Sequence, residues 1–183
     1  MRKTILTLLT LGLLAGLFAL TGVASADSPH FKRGSPGAVA DNGLTFSQKA
    51  SVSGLGNGDI VVTLNITNVQ PEASCTNPAG ETKPPGQNPA PSDISGSVAV
   101  PGDAIKNGTL TITVNTVAPE TPVPGHPNCP GKGSWTEAIT DMSLTATSCA
   151  TLTFSAWLDD GDGVFESGET GATILTATTP SGC

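Results

Sequence analysis

The chain has 183 residues, 8 Lys plus Arg against 15 Asp plus Glu, and 13% charged residues in all. Residues 1–26 read as a signal peptide: Arg2 and Lys3, an apolar run from Ile5 to Leu20, then the small-residue exit Ala24-Ser25-Ala26. Cleavage there removes two cations and leaves 157 residues at a net charge of −9. No basic run survives for nucleic acid or an anionic membrane, and no second apolar stretch reaches the ~20 residues of a membrane span.

The expected organisation is a flexible leader over 27–41 and one domain over 42–183. The leader (DSPHFKRGSPGAVAD) has Pro, Gly and charge without periodicity, so His30, Lys32 and Arg33 read as a solvated arm. From Leu44 the period is two. Leu44 and Phe46 open a strand ending near Ser53, and Asn57-Gly58 supplies a tight turn. Ile60, Val62, Leu64 and Ile66 then face one way, with Val61, Thr63, Asn65 and Thr67 on a wet face. Val98 and Val100 belong to a further strand. Asn107-Gly108 turns the chain into Leu110, Ile112 and Val114, which face in while threonines face out. Ile139, Met142, Leu144 and Ala146 suggest another strand, although Met142 breaks the alternation. Strands over Thr151–Trp157 and Ala172–Thr178 complete the pattern.

About seven short strands with turn signals predict an all-β protein, an antiparallel, immunoglobulin-like β-sandwich. The 21 threonines after residue 26 suit exposed strand faces. Two Pro-rich loops interrupt the strands, Cys75–Pro91 and Val117–Gly133, each with one Cys. All four cysteines lie in the exported part, which fits an oxidising compartment. Three pairings are open, and loop placement favours Cys75–Cys129 with Cys149–Cys183. Cys spacing is wrong for zinc, and the only histidines are His30 and His126.

The segment Gly54-Leu55-Gly56-Asn57, the Cys75-bearing loop with its Asn-Pro and Pro-Gly-Gln-Asn, the Lys106-Asn107-Gly108 turn and Cys129-Pro130 resemble a group of uncharacterised small secreted bacterial proteins common in actinobacteria. The resemblance covers roughly Leu44 to Ala146. It implies a secreted β-sandwich with the first two cysteines paired, and brings no activity or ligand.

Asp159, Asp160, Asp162, Glu166 and Glu169 place five carboxylates within eleven residues, a candidate calcium site. Aligned on an EF-hand loop, Asp162-Gly163 take positions five and six and Glu169 takes twelve, but Leu158 at position one offers no oxygen. The segment also resembles the acidic calcium loops between strands of bacterial surface proteins. Trp135 and Trp157 are candidate stacking platforms for a sugar, or else core residues. Asn65-Ile66-Thr67 and Asn107-Gly108-Thr109 fit the glycosylation pattern by chance. Catalysis has little support, because His126 is the sole imidazole inside the domain and no Ser sits in a Gly-x-Ser-x-Gly setting. The expectation is therefore a secreted, non-enzymatic structural or adhesive protein of the cell surface or beyond. Its partners would be cell-wall or matrix material or copies of itself. The alternatives are a glycan-binding module and a fibre subunit joined by strand addition.

Overall fold

Every second residue of 60–66 is aliphatic, and a strand puts alternate side chains on opposite faces, so one face of this segment must leave water. The structure, a computed structural model, describes residues 28–183 except Gln87, Gly125, His126, 131–133, Asp159, Asp160, Asp162, Gly163, Phe165, Ser167, Ser181 and Gly182. Ile60, Val62, Leu64 and Ile66 are buried in it to 1% exposure or less. Nine strands are described: β1 (His30–Phe31), β2 (Val39–Asp41), β3 (Phe46–Ser53), β4 (Ile60–Thr76), β5 (Thr82–Lys83), β6 (Ser92–Val100), β7 (Thr109–Asn115), β8 (Thr136–Trp157) and β9 (Thr170–Thr179). The described helical residues are one 3-10 turn, Gly102–Ala104.

All strand pairs are antiparallel, and they form two sheets in a sandwich-like arrangement. In the first, β7 runs along the whole of β3, and β1 and β2 share the other edge of β3 end to end. In the second, β4 and β8 pair throughout. β6 and then β5 line the free side of β4, and β9 lines β8. Phe46, Val52, Leu64, Ile66, Leu152 and Phe154 fill the space between, all fully buried. Segment 28–41, read above as a leader, carries both edge strands β1 and β2. Its Phe31 ring meets Phe154 edge-on, with centroids 5.8 Å apart. This apolar anchor, directly before Lys32, adds to the backbone pairing of β1 and β2 with β3 in docking the arm.

Two departures from the expected strands have one cause. β8 is a single strand of 22 residues where two were expected, and β4 continues to Thr76. Between Glu72↔Asp141 and Ala73↔Ile139 the register shifts by one, so Thr140 is an extra residue on β8. A bulge re-aims everything beyond it by one face. Ile139 and Met142, three apart, thereby both point inward at 8% and 1% exposure. A larger bulge sits where Thr67 and Val69 of β4 face Cys149 and Leu144 of β8. There Asn68 adopts φ 54°, and its carbonyl accepts the Thr145 and Ser148 hydroxyls at 3.1 and 2.7 Å. Pro71 is tolerated in β4 because β6 pairing stops at Val69 and β5 pairing starts at Cys75, leaving that side unpartnered.

The Asn107-Gly108 turn forms as expected, with φ of 51° and 67° and Lys106 and Thr109 exchanging both backbone hydrogen bonds. At Asn57-Gly58 the left-handed residue is the preceding Gly56, at φ 71°. Val61, assigned to the wet face, is fully buried, as is its cross-strand neighbour Ser155, so the outer face of β4 opens only from Thr63 onward.

Candidate functional site

The connection between β8 and β9 carries the candidate metal ligands. Asp159, Asp160 and Asp162 lie outside the described residues, so the geometry concerns Glu166 and Glu169. Leu158 N–H donates to the Glu169 carbonyl at 2.7 Å and closes the base of the loop, and Gly161 and Gly168 turn it at φ 106° and 113°. The half-buried Glu169 acts as an internal clamp. Its Oε2 accepts the Trp157 indole N–H at 3.2 Å and the Glu166 backbone N–H at 2.7 Å. A bidentate ligand at loop position twelve would need both oxygens turned to the ion, and this one already takes two donors. The Glu166 side chain is exposed. Among the described residues, no group of three or more His, Cys, Asp or Glu is gathered in metal-binding geometry.

The two tryptophans do not converge. Trp135 precedes β8 and Trp157 ends it, both half-buried, with the 22 residues of β8 and its bulges between them. One sugar platform cannot use both. Trp157 is instead tied into the acidic loop through its indole N–H. His126 lies outside the described residues, and His30 sits at the exposed β1 edge, where Nδ1 lies 2.9 Å from the Ser28 carbonyl.

The opposite end of the β4/β8 ribbon holds a polar constellation that pattern reading missed. Cys75 is bonded to Cys129, and Cys149 to Cys183, the pairing favoured above, and no described cysteine is free. Beside the first bridge, Glu137 is fully buried. Its two oxygens accept the Asn128 backbone N–H at 3.1 Å and the Asn128 side-chain amide at 2.8 Å. The Glu137 carbonyl takes the Val123 N–H at 2.8 Å, and the Asn128 carbonyl takes Gly86 N–H at 3.1 Å. The second Pro-rich loop is thus fastened to β8 by one carboxylate and to β4 by one disulfide, and the first is held to it through Gly86. The available signal was parity: Glu137 falls on the same face as Ile139, the inward one.

The chain matches no protein-family model, no curated protein and no solved structure. Its surface therefore has to be read on its own chemistry. Across the outer face of the second sheet, the pairing aligns Ser97, Thr63, Thr153 and Thr176 in one row, and Ser95, Asn65, Thr151 and Thr178 in the next. Four strands thus present short hydroxyl and amide side chains side by side, with Thr63 and Ser97 hydroxyls 2.8 Å apart. These two rows carry short, weakly hydrogen-bonding groups and no titratable side chain.

Proposed function

We propose that the chain is a secreted, non-catalytic, immunoglobulin-like β-sandwich with a structural or adhesive role outside the cell or loosely on its surface. The observation that carries this reading is the complete pairing of the described cysteines, one bridge joining β4 to the loop before β8 and the other joining β8 to Cys183 beyond β9. Structural disulfides persist in oxidising compartments and are rare in reducing ones. The uncharged hydroxyl rows supply the contact surface, with extracellular material or copies of the same chain as partners. The direct test is sedimentation of the oxidised, exported form with insoluble cell-wall polysaccharide, beside analytical ultracentrifugation of the protein alone. Retention or self-association is expected, and a monomer that binds nothing refutes the reading.

Calcium at Asp159, Asp160, Asp162 and Glu166 is part of this proposal, with Glu169 holding the loop closed from within. The concentration of like charge supports it, because a hard dication relieves mutual repulsion that nothing in the sequence segment neutralises. Melting in chelator against millimolar calcium decides the point: a shift of several degrees is expected, and identical curves remove calcium from the account.

Strand addition is a second reading with its own observation. β9 is ten residues long, contains no charge and no Pro, and pairs with β8 alone among the described strands. Natural edge strands are usually blunted by such residues. Concentration-dependent dimers that disappear in Ile174→Lys would support pairing through this edge, and dimers unaffected by that change would refute it.

A further inference from the structure

We infer that the turn between β1 and β2 forms, with β3, an anion-binding pocket for a tetrahedral oxyanion, the phosphate or sulfate ester of an extracellular polymer. The inference rests on the adhesive reading above and names one chemistry that it would use. The cations of this acidic chain are unevenly placed. Lys32, Arg33 and Lys49 are half of the six left after residue 26, and residues 28–53 together with β7 set them against a single carboxylate, Asp41.

The backbone builds the pocket. Lys32 N–H donates to the Ser51 carbonyl and Gly37 N–H to the Lys49 carbonyl, both at 2.9 Å, so segment 33–36 is pushed off the edge of β3 between two anchor points. Ser35 N–H closes the turn onto the Lys32 carbonyl at 2.9 Å, and Gly34 takes a left-handed φ of 77° with open space where a side chain would stand. The resulting cavity measures about 220 Å³ and is lined by Arg33, Gly34, Ser35, Lys49 and Ser51 among others, with no acidic residue of the described part in its wall.

The donors match an oxyanion. Arg33 brings a planar fork and Lys49 a point charge, both exposed. The Ser35 Oγ accepts the Ser51 N–H at 2.7 Å, which fixes the oxygen and leaves its own O–H to donate. The Ser51 hydroxyl is paired with Thr111 at 2.9 Å and takes no part. The volume falls below the roughly 300–1,000 Å³ of pockets that enclose a drug-sized ligand. It suits one charged group while the rest of a polymer passes outside. No described carboxylate is placed in the wall to neutralise these cations.

The test is an amide-resolved NMR titration of the oxidised chain lacking residues 1–26, at low salt, with sodium phosphate, with sodium sulfate, and with sodium acetate as a control. Saturable shifts confined to residues 33–37 and 49–51 are expected with the first two probes, and the stronger of the two names the ester. Arg33→Gln/Lys49→Gln should weaken that binding at least about tenfold, as loss of two charge-assisted donors requires. Lys83→Gln/Lys106→Gln should leave it unchanged. Shifts spread over all lysines, or equal weakening by both pairs of substitutions, overturn the pocket. Absence of localised shifts in a chain that still sediments with cell-wall material overturns the pocket alone. Localised shifts in a chain that sediments with nothing uphold the pocket and refute the adhesive reading.

Discussion

Removing the Cys75–Cys129 bridge by Cys75→Ala/Cys129→Ala tests how the surroundings of the two bridges differ. The bridged residues are 54 apart, against 34 for Cys149–Cys183. Chain entropy alone gives about 4 kcal/mol for either bridge, with the longer loop ahead by only about 0.4 kcal/mol. The surroundings are unequal, however. Cys75 is fully buried, whereas Cys183 is exposed. Freeing Cys129 also loosens Asn128, the donor to both oxygens of the buried Glu137. A buried carboxylate stripped of its donors adds about 1–3 kcal/mol. The first bridge should therefore cost about 5–7 kcal/mol and the second about 4. At about 2–4 °C per kcal/mol for a domain of this size, the melting points should fall by roughly 10–28 °C and 8–16 °C. Urea unfolding of both double variants gives the free energies directly, with m-values reporting the expanded unfolded chain. The decisive arm is Glu137→Gln on both backgrounds. Its cost should shrink when the bridge is already gone, because the clasp and the bridge act together. Strict additivity, or a larger loss from Cys149→Ala/Cys183→Ala, would refute the reasoning.

Gly96→Ala should destabilise by about 2–3 kcal/mol, since a Cβ there would run into the Asn115 carbonyl oxygen and come within 2.8 Å of Thr116 Cα. That backbone cannot easily yield, because Val117 N–H is bonded to the Ser95 carbonyl and the Thr116 hydroxyl to Phe46 N–H; a neutral result in chemical denaturation would contradict the crossing. Phe154→Ala should cost about 3–5 kcal/mol, and Phe31→Ala a smaller but measurable amount. If Phe31→Ala left thermal stability untouched, segment 28–41 would be dispensable to the fold. Trp157→Phe removes a donor to Glu169 Oε2, so amide exchange at residues 166–169 should accelerate while the sandwich core stays protected. Unchanged exchange there would mean that the indole hydrogen bond does not hold the loop.

The strand pattern was legible wherever burial is one-sided. Thr109–Asn115 emerges with the expected ends, and Phe46–Ser53 starts two residues later than expected, because alternation continues without interruption and glycine turns bound it. Legibility failed at the bulges. Met142 looked like a broken strand, whereas Thr140 absorbs the extra residue and restores the inward face. A period-two reading has no place for such an insertion, and a bulge depends on the partner strand, which local sequence does not contain. β1 and β2 escaped notice for a different reason: strands of two and three residues have no periodicity to read.

The candidate sites follow the same division. Cysteine pairing could be read from loop position because the two loops must meet at one end of the ribbon. For Glu137 only the inward parity was readable, and not its partner, since Asn128 comes from a loop whose path local sequence does not contain. Arg33 and Lys49 are the plainest case. They are sixteen residues apart in sequence and belong to an apparent leader and an ordinary strand. Only the displaced β1–β2 turn puts them on one cavity. Chemistry that depends on an edge strand's detour is invisible to spacing rules, which describe residues on one element or across one regular pair. Cationic groups on sheet edges are therefore the positions where this fold is most informative beyond its sequence.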